Sequence, residues 1–121
     1  MDLIISILIG FIALLHCYFL YFEMFAWETI GKRVFGKQFS AELFPQTKTL
    51  AANQGLYNGF LAAGLFWTFL IENQEWKMNI ALFFLGCVAV AGIYGAYSAD
   101  KKIFFIQALP ALITILLISI R

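Results

Sequence analysis

Two ionisable side chains stand inside an apolar run. Glu23 lies within residues 3–27, and His16 precedes it by seven residues, two helical turns back on the same face. An acid and an imidazole are the groups that general acid–base chemistry and proton relays use. A charged side chain at the centre of a bilayer costs about 3 kcal/mol, so residues of this kind mark candidate functional sites. Each also has a plainer reading. Glu23 can reach the cytoplasmic surface without a role, and His16 can be a neutral, hydrogen-bonded imidazole.

What must position these residues is a set of membrane helices. Of the 121 residues, 63% are hydrophobic and 12% charged, more apolar surface than a soluble domain of this size can bury. The apolar residues gather into four runs, about 3–27, 50–71, 80–97 and 103–120. Each is long enough to cross a hydrocarbon core of roughly 30 Å. The expected fold is an all-α integral membrane protein, a four-helix transmembrane bundle forming a single domain. The first run has no basic leader and no small-x-small cleavage site, which argues against a cleaved signal. Leu14-Leu15-His16-Cys17 places His16 where a lipoprotein signal needs a small residue. Lys32, Arg33, Lys37 and Lys48 in the first connection, with Lys101 and Lys102 in the third, outweigh Lys77 and Arg121. The positive-inside rule then puts both of those connections in the cytoplasm and both termini outside.

With that orientation the polar residues fall at one depth. His16 lies roughly 20 Å below the outer boundary, and Glu23 near the cytoplasmic one. Asn53, Gln54, Tyr57 and Asn58 begin the second span, Tyr94, Tyr97 and Ser98 end the third, and Gln107 stands a turn into the fourth. Helical phase puts His16, Leu20, Glu23 and Trp27 on one face, and Asn53, Tyr57, Phe60 and Gly64 on another. Gln107, Ala111 and Thr114 share a third. A polar pocket open toward the cytoplasm is the expectation, with His16, Glu23, Trp27, Asn53, Gln54, Tyr57, Asn58, Tyr94 and Gln107 as its ligand-binding residues. The amides also suit simple interhelical hydrogen bonding, and the tyrosines an interfacial belt.

The remaining features are less specific. The connection from Glu28 to about Thr49 mixes Val34, Phe35, Phe39, Leu43 and Phe44 with charges. It reads as a segment lying on the membrane surface or as a lid. Gly55 and Gly59 form a GxxxG, and Ala91/Gly95 and Gly92/Ala96 repeat the spacing. Such faces pack helices within a bundle or carry a homo-oligomer. Pro110 predicts a kink, because its ring crowds the carbonyl of Ile106. Cys17 and Cys87 lack metal or redox spacing and read as small packing residues. His16 and Glu23 are too far apart for a helical ligand pair, Cys87 is placed nearer the outer half, and no hydrolytic triad is visible. No metal or cofactor is expected, and a net charge of +1 gives no case for nucleic acid.

Several of these blocks resemble one family. They are His16-Cys17-Tyr18 leading into Phe22-Glu23-Met24-Phe25-Ala26-Trp27, and Ala51-Ala52-Asn53-Gln54-Gly55-Leu56-Tyr57-Asn58-Gly59. Phe84-Leu85-Gly86-Cys87, Ala91-Gly92-Ile93-Tyr94-Gly95 and Gln107-Ala108-Leu109-Pro110 complete the set. Together they resemble the bacterial membrane family called domain of unknown function 1304. The resemblance implies a four-span, multi-pass protein of the bacterial plasma membrane and adds no chemistry. Three functions follow as expectations. The first is a pocket that binds a small amphipathic or lipid-like molecule from the cytoplasmic leaflet, with membrane lipids as surrounding partners and acid–base chemistry at Glu23 and His16 left open. The second is a small proton-coupled transporter using Glu23. The third is a structural or assembly protein held by its small-residue faces.

Overall fold

Backbone polar groups in long apolar segments must bond within their own segment, and this chain does so through helices. The computed structural model describes residues 2–121, and these contain no strand. The helices are α1 (Leu3–Phe25), α2 (Lys32–Phe35), α3 (Leu43–Gln46), α4 (Lys48–Trp67), α5 (Gln74–Ser98) and α6 (Leu109–Ser119). Two segments, Trp27–Gly31 and Phe104–Ala108, are wound more widely than an α-helix, and Thr68–Leu70 is a tight 3₁₀ turn. Two helices, α1 and α5, are long and apolar enough to cross a membrane. The stretch Phe104–Ser119 is a shorter apolar helix.

The helix ends differ from the apolar runs for local reasons. The first helix stops at Phe25 because Ala26 leaves helical geometry at φ −140° and ψ 31°. Trp27 then opens a wide turn, in which the Gly31 N–H reaches back five residues to the Ala26 carbonyl at 3.0 Å. α5 starts at Gln74, well ahead of the apolar stretch. There the Asn73 side chain accepts the Trp76 N–H at 3.0 Å, and Glu75 stands in the first turn. Both stabilise a helix N-terminus, so helix outlasts hydropathy. The fourth run is not one regular helix. Ahead of Pro110 the backbone widens, and the Leu109 N–H reaches the Phe104 carbonyl. The expected kink takes this form, since a wide turn relieves the crowding that a proline ring creates.

Two pairings organise the bundle: α1 packs along α4, and α5 packs along Phe104–Ala108 and α6. Small residues make each pairing close. A Cβ on Gly55 would sit 3.0 Å from Glu23 Cβ and 3.2 Å from the Leu20 carbonyl. One on Gly92 would meet the Ala108 backbone N at 2.6 Å. The glycine-rich faces are therefore occupied inside the chain, where close backbone approach supplies dispersion contact. Ile5, Ile9, Ile12, Leu65, Leu85 and Val88, all buried, fill the end of the bundle where the chain begins and ends. There Arg121 Nε lies 3.7 Å from Asp2 Oδ2, so the first and last helices finish side by side.

Candidate functional site

Toward the other end the two pairs enclose a cavity of about 890 Å³. α1 supplies Phe19, Phe22 and Glu23, and α4 supplies Gln54, Tyr57 and Asn58. Cys87 and Tyr94 come from α5, Gln107 from the wide turn, and Trp27, Phe35 and Phe39 from the first connection. Tyr57, Phe60, Tyr94 and Ile106 line the cavity and are also exposed on the outside of the bundle. The cavity therefore opens sideways between α4 and the α5–α6 pair.

The polar residues inside form two separate contacts. Asn58 Nδ2 donates to Glu23 Oε1 at 2.6 Å, across the close approach that Gly55 permits. Among the described residues no other group hydrogen-bonds the Glu23 carboxylate, and the residue itself is buried. His16 is fully buried behind the wall. Its Nδ1 lies 2.8 Å from the Ile12 carbonyl, which can only accept, so the ring proton sits on Nδ1. Nε2 then accepts from Gln107 Nε2 at 3.2 Å. That network is complete with a neutral imidazole, as in the plainer of the two readings.

Glu23, Trp27, Gln54, Tyr57, Asn58, Tyr94 and Gln107 all border the cavity. His16 does not, and reaches it only through Gln107. Asn53 is exposed and outside the lining, a full turn nearer the start of α4 than Tyr57. Cys87, expected nearer the outer half as a packing residue, is partly exposed and lines the cavity, and Cys17 is exposed. Sequence reasoning passed over Phe19 and Phe22, whose only signal was their position within a turn of Glu23. It also counted Lys102 for orientation alone.

The first connection lines the cavity through Val34, Phe35, Phe39 and Leu43. Trp27 stacks with Phe35 and Phe44 at ring distances of 5.9 and 5.2 Å, and Phe35 with Phe39 at 6.0 Å. Trp27 Nε1 donates to Thr47 Oγ1 at 3.0 Å. Gln38 Nε2 donates to Asp100 Oδ2 at 2.9 Å, and Lys102 Nζ donates to the Val34 carbonyl at 2.8 Å. Lys102 also pairs with Asp100 Oδ2 at 3.3 Å. These contacts join the connection to the turn between α5 and α6.

Fold and site together define a small helical protein with two membrane-length helices and a polar-floored aromatic cavity between helix pairs. The chain belongs to the family described as protein of unknown function (DUF1304), whose model matches residues 10–119. It is 27% identical over 117 residues to Uncharacterized protein YpaA of Lactococcus lactis subsp. lactis (strain IL1403), covering 96% of this chain and 97% of that one. No solved structure matches.

Proposed function

We propose that this is a four-span plasma-membrane protein whose cavity binds a small amphipathic or lipid-like molecule entering from the cytoplasmic leaflet. The observation that carries the reading is the lining, where aromatic walls surround Glu23, Asn58, Gln54 and Gln107. A largely apolar cleft with a few convergent polar groups is the usual form of a small-molecule site. The sideways opening through exposed Tyr57, Phe60 and Tyr94 suits a ligand that arrives through lipid. Basic residues on the first and third connections put the covered end in the cytoplasm. The apolar plug of Ile5, Ile9, Ile12, Leu65, Leu85 and Val88 at the opposite end favours a binding site over a proton-coupled transporter, which needs a second polar exit. Thermal-shift screening against amphipathic compounds tests this. Stabilisation is expected for the unaltered chain and is reduced in Glu23→Gln and Asn58→Ala. Stabilisation that survives both changes places the ligand elsewhere.

A further inference from the structure

Charge on the cavity lining is unbalanced, and the imbalance selects a ligand. The lining holds one acid and one base, Glu23 and Lys102. Lys102 is already answered within the protein by Asp100 Oδ2 at 3.3 Å and the Val34 carbonyl at 2.8 Å. Glu23 has only the neutral Asn58 amide, on one of its two oxygens. One carboxylate oxygen is therefore left to the cavity, with no cation from the described residues beside it.

Aromatic side chains share the lining with that carboxylate. Phe19 lies one helical turn before it, Phe22 adjoins it, Trp27 follows just past the end of α1, and Tyr57 stands next to Asn58 on the facing helix. All four line the cavity. Aromatic faces attract cations through their quadrupole, more strongly where water is excluded, and an acid in the same cavity supplies the counter-charge that an ammonium needs. An anionic ligand would meet Glu23 with no free positive group to offset the repulsion, and a neutral apolar ligand would leave the carboxylate without a counter-charge.

We infer that the cavity takes hydrophobic organic cations, meaning an ammonium or phosphonium centre on an apolar body, with Glu23 as counter-ion and Phe19, Phe22, Trp27 and Tyr57 as the surrounding faces. This rests on the binding function proposed above and specifies its ligand class. The shared chemistry belongs equally to a free lipophilic amine and to an ethanolamine or choline lipid headgroup.

The test uses the full chain in nanodiscs of phosphatidylglycerol, which supply no ammonium. The neutral dye N-phenyl-1-naphthylamine reports occupancy of the apolar cavity. Tetraphenylphosphonium and tetraphenylborate, matched in shape and opposite in charge, compete for it, each corrected for partition into empty discs. The phosphonium is expected to displace the dye at a concentration about tenfold lower than the borate. Glu23→Gln should bring the ratio of the two displacing concentrations to about one, and Glu23→Asp should keep it near tenfold. Equal displacement by the two ions, or a preference unchanged in Glu23→Gln, overturns the cation assignment and leaves a general apolar site standing. Absence of saturable dye binding removes the site itself, and the cation assignment with it. The wild-type comparison decides the question even if Glu23→Gln does not fold. Adding phosphatidylethanolamine to the discs separates the two sources. A lipid headgroup ligand raises the phosphonium concentration needed, and a soluble amine leaves it unchanged.

Discussion

A buried carboxylate needs a donor, and for Glu23 the donor is Asn58 at 2.6 Å. Hydrogen bonds between membrane helices are worth about 1 kcal/mol, because the separated helices also find partners. Asn58→Ala should therefore lower stability by about that amount in detergent thermal denaturation. Asn58→Asp should lower it further at neutral pH by setting two carboxylates in contact. An Asp variant that melts no lower than the Ala variant would show that the pair does not persist. Gln107→Leu strips His16 Nε2 of its donor and should cost a similar amount, about 1 kcal/mol. The residue types of the site were legible from the sequence, but the pairing was not. Spacing placed His16 and Glu23 on one face, yet a seven-residue rise separates them by about 10 Å. In the fold each turns to a different helix, His16 to Gln107 and Glu23 to Asn58. They are neighbours in phase and do not form a relay.

Among elements, backbone approach sets the limits, and the glycines are not equivalent. A methyl at Gly92 would press on the Ala108 backbone, with Cα at 2.9 Å and N at 2.6 Å, and backbone cannot swing aside. At Gly55 the nearest atom is the flexible Met24 Cγ at 2.8 Å, with Glu23 Cβ at 3.0 Å behind it. At Gly86 nothing lies within 4 Å. Overpacking of this kind costs about 1–3 kcal/mol, whereas alanine in open helix gains up to about 1 kcal/mol over glycine. Melting temperatures should therefore fall in the order Gly86→Ala highest, then Gly55→Ala, then Gly92→Ala. If Gly92→Ala melts like Gly86→Ala, the α5–α6 pair is not as close as described. The same elements show how far the sequence could be read. Each apolar run falls on helix, because hydropathy marks burial from water directly, but only α1 and α5 are long and apolar enough to cross a membrane. Asn73 extended α5 beyond its run because capping acts independently of hydropathy. The wide turn at Phe104–Ala108 was foreshadowed only by Pro110, since proline forbids regular helix without specifying what replaces it. The aromatic packing of Phe35, Phe39 and Phe44 on Trp27 depends on contacts distant in sequence and left no periodic trace.

For the whole molecule, the decisive contrast is between one end packed solid and one end spanned by a tied connection. The tie passes through Asp100, whose carboxyl is held below the usual range, first by the Lys102 backbone N–H at 3.0 Å and then by the Lys102 ammonium. A carboxyl lowered by folding stabilises the folded arrangement above its ordinary pKa, and that contribution disappears as pH falls through the lowered value. The connection should thus stay docked at neutral pH and loosen only below about pH 4. Spin labels at Lys37→Cys and Lys101→Cys, in a background lacking Cys17 and Cys87, would read this as a distance distribution that broadens on acidification. Asp100→Asn should show the broad distribution already at neutral pH; an unchanged narrow one would mean that the aromatic packing holds the connection alone. The proposed orientation rests on two observations. Asp2 and Arg121 bring the chain ends together, and the positive-inside rule applied to the basic residues of the connection assigns the opposite end to the cytoplasm. In intact spheroplasts an impermeant maleimide should therefore label Asn73→Cys directly and Lys37→Cys only after permeabilisation. The reverse pattern would turn the tied end outward, and its ligand would then have to come from the outer leaflet.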